Sequence, residues 1–238
     1  MADNNENNKP VVRKTWVMLK KAIPEYAKGM TRHFTGSTAP VDNKWYDEIN
    51  NVAISLASNS SYDADKKLYS IKQGSNGEVY QTGIASTTEY VFRHMKGIRC
   101  TYYSGGWAEF VRPGDMNNNG SFQLLKVCDN ASSFAFLWSS GGAGTISTYI
   151  RKKPAELGLV DNALTTVTYT SKGLYINGQF IGSWGKSLVN RKSNLRFGGG
   201  STFGSDGIKV HDVRFYPFDL TDEEIAANHA ADKARYGA

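Results

Sequence analysis

Cysteine is scarce in this chain, which excludes a fold built on disulfides. Cys100 and Cys128 are the only two cysteines among 238 residues, and their separation matches no metal-binding spacing. We therefore predict two reduced thiols.

Long apolar runs are also absent. No stretch approaches the roughly 20 apolar residues that cross a bilayer as a helix. The first residues, MADNNENNKPVVRK, lack the apolar core and cleavage region of a signal peptide. We expect neither membrane insertion nor export by a signal peptide.

Catalytic motifs are missing as well. The chain has no G-x-S-x-G sequence, and its four histidines, His33, His94, His211 and His229, are scattered without metal-ligand spacing. We interpret these histidines as surface or cap residues.

The acidic residues of the predicted strands do not form a glycosidase motif. Glycoside hydrolysis needs paired carboxylates in one cleft, which on a single strand means alternate positions. Glu89, Glu109 and Asp212 have no acidic partner two or four residues away. We interpret them as edge or solvent-face charges and predict a protein that is not an enzyme. Carboxylates that converge from separate strands would instead make it a glycoside hydrolase.

What the chain does contain is typical of an all-β domain. Its 24 glycines and 13 tyrosines accompany thirteen short segments rich in β-branched and aromatic residues, among them TEYVFRH, SFQLLKV and LTTVTYT. Thirteen short strands predict two packed sheets in one domain.

The last part of the chain gives the clearest local signals. Asn177 and Gly178 in GLYINGQFIGSW suit a two-residue type I′ hairpin turn. In IKVHDVRFY the apolar residues change parity near His211, which predicts a bulge or face switch, and Pro217 ends the strand.

A capped helix follows this last strand. Thr221 and Glu224 have the spacing of a capping box, and Leu220 and Ile225 that of a hydrophobic staple. We predict a helix over residues 222–234.

The positive charge is concentrated near the N-terminus. Residues 11–34 contain six basic residues and one acidic residue, in a chain whose formal net charge is +6. Within residues 14–31, Trp16, Leu19, Ile23, Tyr26 and Met30 have helix-like spacing, although Pro24 opposes a helix. We predict a polar, basic arm or helix over residues 1–35 and one β domain over residues 36–238. Within residues 1–35, the candidate residues for anchoring the protein to a partner are Arg13, Lys14, Lys20 and Lys21.

The segments LTTVTYTSKGLYINGQFIGSW, NLRFGGG and GIKVHDVRFYPFDLTDEEIAANHAADKARYG together resemble the C-terminal half of LamG-like, concanavalin A-like jelly rolls. The resemblance covers roughly the last 75 residues. It implies a two-sheet antiparallel jelly-roll sandwich with a short C-terminal helix. Such domains serve as glycan-binding modules, adhesion modules, hydrolases and viral coat components, so the resemblance leaves the function open.

Aromatic residues at strand ends are the candidate glycan site. Tyr102, Tyr103 and Trp107 flank a Ser-Gly-Gly turn, and Trp138 ends a second predicted strand. Sugar rings present apolar C–H faces that pack on exposed aromatic rings. The competing interpretation is that these side chains face the core.

One Asn-rich loop is a weak calcium candidate. Asp115, Asn117 and Asn119 match the start of a D-x-N-x-N-G calcium loop, but Lys126 occupies the position of the bidentate glutamate. Calcium is thus the only cofactor that the sequence suggests, and the favoured interpretation needs none.

The favoured function is a non-catalytic structural and adhesive module on a phage virion surface, made in the host cytoplasm. Its partners would be carbohydrate, other virion proteins or further copies of the chain. No basic-aromatic motif or recognition helix predicts a nucleic-acid partner. The alternatives are a secreted or cell-surface bacterial carbohydrate-binding domain and a glycoside hydrolase of the same fold.

Overall fold

A computed structural model describes residues 25–71, 76–78, 87–93, 107–113, 122–128, 134–139, 148–184, 194–197 and 208–237. Only the backbone is described for the strands at 76–78, 107–113, 122–128, 134–139 and 194–197, and for positions 148, 149, 151 and 154. Every strand pairing in these ranges is antiparallel.

Eight strands form sheet A: β1 (Arg32–Thr35), β4 (Ser61–Asp63), β5 (Leu68–Ile71), β7 (Thr87–Arg93), β12 (Leu164–Tyr169), β13 (Gly173–Ile176), β14 (Gln179–Ser183) and β16 (Ile208–Tyr216). Their order is β14-β13-β12-β7-β16-β5-β4, and β1 also pairs with β16. The strand β16 is therefore the centre of sheet A.

Eight further strands form sheet B: β2 (Lys44–Tyr46), β3 (Ala53–Ser55), β6 (Asn76–Glu78), β8 (Trp107–Pro113), β9 (Phe122–Cys128), β10 (Phe134–Ser139), β11 (Thr148–Lys152) and β15 (Asn194–Phe197). Their order is β11-β10-β9-β8-β15-β6-β3-β2. A short 3-10 helix (Pro154–Leu157) follows β11, and the helix α1 (Asp222–Tyr236) follows β16. The predicted all-β, two-sheet antiparallel sandwich with a C-terminal helix is confirmed.

The local predictions for the last part of the chain are also confirmed. Asn177 and Gly178 join β13 to β14 with φ values of 53° and 79°. The strand β16 ends at Tyr216, directly before Pro217. At the start of α1, Thr221 Oγ1 accepts a bond from the backbone N–H of Glu224, whose carboxylate accepts one from the Thr221 N–H.

A bulge at His211 explains the change of parity in β16. The register with β7 shifts between Val210 and Asp212, and Val210 and Val213 both lie in the main apolar core. The bulge thus keeps the apolar residues before and after it on the same face. Asp212 and Arg214 consequently lie on the opposite face of sheet A.

That opposite face is covered by a third layer, made of α1 and residues 25–31. The backbone N–H of Ala27 donates to Asn228 Oδ1 of α1 at 2.7 Å, and that of Thr31 donates to the Phe215 carbonyl of β16 at 2.8 Å. Residues 25–31 are not helical, so the predicted helix does not reach them, and Gly29 has φ +87°. The segment predicted as an arm thus ends in β1, hydrogen-bonded to sheet A.

The helix in the described residues lacks the length and apolar content that a membrane span requires.

Candidate functional site

The face of sheet A beneath α1 holds a buried cluster of charged residues centred on Arg214. The guanidinium binds Asp232 of α1 through two bonds of 2.6 and 2.9 Å, and Glu89 of β7 through Nε at 2.9 Å. Asp212 lies 3.4 Å from Nη1, and the ring of Tyr26 lies 4.0 Å from the guanidinium carbon. None of the three carboxylate side chains is exposed. We call this group the Arg214 cluster.

Asp212 joins the cluster to the N-terminal segment and to the end of α1. It accepts hydrogen bonds from the hydroxyls of Tyr236 at 2.7 Å and Tyr26 at 3.0 Å, and His33 Nε2 lies at 3.4 Å. Burial alone would raise the pKa of Asp212, but the hydrogen bond and charge of His33, together with Arg214, lower it to about 2. The carboxylate is therefore ionised at neutral pH.

The pKa of His33 is shifted in the opposite direction to that of Asp212. Burial alone would lower its pKa, but hydrogen bonds to Asp212 and to Glu48 outweigh burial and raise it to about 9. At neutral pH His33 is thus a second buried cation beside Arg214.

Glu89 is the third acid of the cluster. It accepts bonds from Thr168 Oγ1 at 3.0 Å and Asn228 Nδ2 at 2.8 Å, besides the one from Arg214. Burial raises the pKa of Glu89, and the charge of Arg214 offsets part of that increase. Both oxygens of the carboxylate are therefore used inside the protein.

The cluster corrects two interpretations of the sequence. Glu89 and Asp212 are buried ion-pair partners, not edge or solvent-face charges, and His33 and His211 are buried, not surface or cap residues. The third layer covers the face on which they lie. A signal was present in the sequence, because Asn228 and Asp232 lie one helical turn apart on the buried face of α1.

A solvent-open cavity of about 560 Å³ lies beside the cluster, where α1 ends. Among the described residues, four basic ones line it, namely Lys66, Lys67, Arg93 and Arg235, and Asp65 is the one acid. Leu68, Asn162, His211 and Tyr236 complete the described wall. We call it the Arg93 cavity.

Arg93 is held in this cavity by uncharged acceptors. Its Nε donates to His211 Nε2 at 3.0 Å, and its terminal nitrogens donate to the carbonyls of Tyr236 and Asn162. Within the described residues no carboxylate pairs with it. The Arg93 charge is thus positioned without being neutralised there.

The bonds of His211 show that its ring is neutral. Its Nδ1 lies 2.9 Å from the Lys67 carbonyl, which can only accept, so Nδ1 carries the proton and Nε2 accepts from Arg93. Burial is the main cause that lowers the pKa of His211 to about 4. The ring also stacks on Tyr236 with centroids 4.4 Å apart, and both residues line the cavity.

Arg235 adds a second guanidinium to the wall. Its guanidinium carbon lies 4.7 Å from the Tyr26 ring centroid, and its Nε is buried without a hydrogen-bond partner. The described wall therefore contains four basic residues, of which Lys66 also pairs with Asp63 through Nζ at 2.8 Å. Such a wall suits a ligand that carries an anionic group.

A second cavity, of about 420 Å³, adjoins the first. Residues 160–164 line it together with Asn177, His229 and Lys233, and Asn162 lines both cavities. We call it the His229 cavity.

The binding residues predicted from the sequence fall elsewhere. The backbones of Trp107 in β8 and Trp138 in β10 are placed, but their side chains lie outside the described residues. The other predicted site residues are all outside the described ranges: Tyr102, Tyr103, Asp115, Asn117, Asn119, Arg13, Lys14, Lys20 and Lys21. These predictions stay predictions. In the ranges that are described, no group of His, Cys, Asp or Glu is arranged to hold a metal ion.

No protein-family model matches the chain, and no curated protein matches its sequence. Solved structures with a similar fold include Trypanosoma rangeli sialidase, at TM-score 0.56 and 14% identity, over 89% of this chain and 34% of that chain. The botulinum neurotoxin serotype D binding domain is similar at TM-score 0.60 and 13% identity, over 84% of this chain and 51% of that chain. This chain thus spans about a third and about half of those proteins. At such identities the likeness shows the fold alone.

Proposed function

We propose that the chain is a non-catalytic recognition module that binds acidic carbohydrate in the Arg93 cavity. The observation that carries the proposal is the wall of that cavity, with four basic residues and one acid. A carboxylate or sulfate group would accept hydrogen bonds from the guanidinium groups and balance the charge. At about 560 Å³ the cavity is within the usual size of small-ligand sites.

The similar folds are compatible with this proposal. One of the solved structures is Trypanosoma rangeli sialidase in complex with sialic acid, an acidic sugar, and another is the receptor binding domain of botulinum neurotoxin D. Sialic acid is the ligand of that sialidase, and the receptor is that of the neurotoxin. The two structures support the proposal only because similar folds occur in a protein that binds an acidic sugar and in a domain that binds a receptor.

The Arg214 cluster is the reason to propose binding without catalysis. Most glycoside hydrolases use two carboxyl groups that flank the scissile bond. Glu89, Asp212 and Asp232 are fully buried and bonded to protein groups. Asp65 is the one carboxylate among the described residues of the Arg93 cavity. Release of sugar from a bound glycan would favour the hydrolase alternative.

A glycan array with matched lysine variants tests the binding proposal. Lys66→Gln with Lys67→Gln removes two charges from the cavity, and Lys44→Gln with Lys172→Gln removes two from exposed positions elsewhere. We expect the protein to retain acidic but not neutral glycans, with affinity reduced about tenfold or more in the cavity variant alone. Equal loss in both variants would make the attraction non-specific, and no retained glycan would end the proposal.

We further propose that the module lies on a virion surface, with the basic N-terminal segment as its anchor. Deleting residues 1–35 would be a poor test, because it also removes β1 and Tyr26 from the sandwich. A chain that starts at residue 25 keeps both. Loss of this shorter chain from purified particles would support the anchor, and unchanged association would remove it. A bacterial surface location would be indicated by glycan binding without any particle association.

A further inference from the structure

The His229 cavity holds two side chains that are fixed by the same residue, Thr166 of β12. The backbone N–H of Thr166 donates to Asn177 Oδ1 at 2.9 Å, and its hydroxyl contacts His229 Nδ1 at 3.1 Å. The same hydroxyl donates to Asp232 Oδ2 at 2.8 Å. A hairpin turn and a helix are thus brought to one point of the sheet.

These bonds determine where the protons lie. A backbone N–H can only donate, so the Asn177 atom that faces it is the oxygen and Nδ2 points away from this bond. The single proton of the Thr166 hydroxyl goes to Asp232, which ion-pairs with Arg214. His229 Nδ1 must therefore carry a proton and donate to Thr166. Burial, the largest cause, lowers the pKa of His229, so its ring is neutral at pH 7 and Nε2 is an acceptor.

One donor and one acceptor are consequently left over in the cavity. Within the described residues, Asn177 Nδ2 and His229 Nε2 make no hydrogen bond. The turn that carries Asn177 lies close to the helix that carries His229, because a Cβ on Gly178 would lie 3.1 Å from Ala226 Cα and 3.5 Å from His229 Cβ. The turn is thus packed tightly against α1.

The rest of the wall is suited to an uncharged ring. Val160 is 68% exposed and offers apolar surface in the wall that also contains Asn177 and His229. A hydroxyl group both donates and accepts, so hydroxyls of one sugar ring can satisfy Asn177 Nδ2 and His229 Nε2 together. Among the described residues of this wall, Lys233 and Asp161 have opposite charges, whereas the described wall of the Arg93 cavity has four basic residues and one acid.

We propose that the His229 cavity is a second subsite, which binds a neutral sugar ring linked to the acidic unit in the Arg93 cavity. The proposal rests on the proposed function. The two cavities share Asn162, whose carbonyl accepts a bond from Arg93, so a linear ligand would pass over this residue. The ligand class is then an acidic oligosaccharide with a neutral hexose beside its charged unit.

Calorimetric titration with paired probes tests this subsite. Glucuronic acid, galacturonic acid and N-acetylneuraminic acid are each compared with an oligosaccharide in which the same acid is joined to a neutral hexose. Two variants remove one free group each: His229→Asn keeps a donor for Thr166 without Nε2, and Asn177→Asp keeps the acceptor without Nδ2. For each protein, the affinity for the oligosaccharide is divided by the affinity for its acid alone. This ratio cancels any general effect of the negative charge that Asn177→Asp adds.

We expect the wild-type protein to bind at least one oligosaccharide about tenfold more tightly than its acid alone, since two neutral hydrogen bonds contribute about that factor. That ratio should fall about threefold or more in each variant. The Lys66→Gln, Lys67→Gln variant should weaken both probes of a pair and leave the ratio unchanged. Thermal melting curves verify that each variant is folded.

The possible outcomes separate the two proposals. A ratio near one in the wild-type protein, or a ratio that neither variant changes, overturns the second subsite while acidic-sugar binding stands. Failure of every probe to bind overturns the proposed function and the subsite with it.

Discussion

Arg214 is the residue on which the buried polar layer depends. It contacts Glu89, Asp212 and Asp232, whose side chains are all fully buried. Water cannot solvate these carboxylates, so their charges are compensated by Arg214, by His33 and by neutral donors. A buried ion pair adds little stability over an apolar pair, but removing one partner leaves the other charge uncompensated.

Arg214→Met therefore should destabilise the protein strongly. The substitution keeps an apolar chain of similar length and leaves three carboxylates without the guanidinium, which should lower the free energy of unfolding by about 3–5 kcal/mol. Urea denaturation followed by tryptophan fluorescence measures the change. Lys66→Met, at a solvent-exposed ion pair with Asp63, is the control and should leave the midpoint unchanged. An unchanged midpoint for Arg214→Met would contradict the role of the cluster.

His33 should make stability depend on pH above neutrality. Its pKa is about 9 in the folded protein against an ordinary 6.5, so its contribution is complete below pH 6.5 and is lost as the pH rises through 9. The free energy of unfolding should fall by roughly 2–3 kcal/mol over this interval.

The variant His33→Gln isolates this effect, since it has no proton to lose. Its unfolding free energy should change clearly less than that of the wild type between pH 6.5 and 9, as measured by urea denaturation at each pH. His211 does not interfere, because its pKa is about 4 in the folded protein against an ordinary 6.5, and its effect between those values is the same in both proteins. Parallel pH profiles for the two proteins would refute the prediction.

At the scale of elements, the sequence predicts what depends on neighbouring residues. The Asn177–Gly178 hairpin, the bulge near His211, the end of β16 and the capped start of α1 are each determined within a few residues. The burial of Glu89 and Asp212 was not predictable in this way. It depends on a covering layer drawn from residues 25–31 and α1, which are far from β7 in the chain.

The candidate site likewise depends on residues that are far apart in the chain. The Arg93 cavity takes residues from the 65–68 turn, the end of β7, the 160–163 loop, the bulge in β16 and the end of α1. These five segments share no motif, so no sequence pattern joined them. Arg93 itself lies near the end of a predicted strand, where only the fold shows its neighbours.

Gly178 should be the more sensitive of two glycines with positive φ. Gly158 has φ +64° and open space where a Cβ would stand, whereas at Gly178, with φ +79°, a Cβ would lie only 3.1 Å from Ala226 Cα. Gly158→Ala should cost about 1 kcal/mol for backbone strain alone. Gly178→Ala should cost about 1 kcal/mol more, because the hairpin must move away from α1. Thermal or urea unfolding of both variants measures the difference, and equal costs would mean that the contact with α1 relaxes freely.

At the scale of the whole molecule, the sandwich has three layers with two different interiors. Sheets A and B enclose an apolar core that includes Phe34, Trp45 and Tyr69. Sheet A and the outer layer instead enclose the Arg214 cluster. Two small clusters of buried apolar residues lie in the same layer, one containing Tyr216 and the other containing Leu164. The N-terminal segment enters both interiors, because Phe34 lies in the first and His33, the preceding residue, in the second.

Two N-terminal deletions should therefore behave very differently. A chain that starts at residue 25 retains every contact described for the segment, so it should unfold cooperatively within about 1 kcal/mol of the full chain. A chain that starts at residue 36 loses β1, Tyr26 and His33, and also Phe34, whose loss from a core alone costs about 3–5 kcal/mol. It should be unfolded or show no cooperative transition in urea, because Asp212 then loses its bonds to Tyr26 and His33 inside the protein. If the chain that starts at residue 36 unfolds like the full one, residues 25–35 contribute nothing to stability, and α1 and the rest of the apolar core are sufficient for the fold.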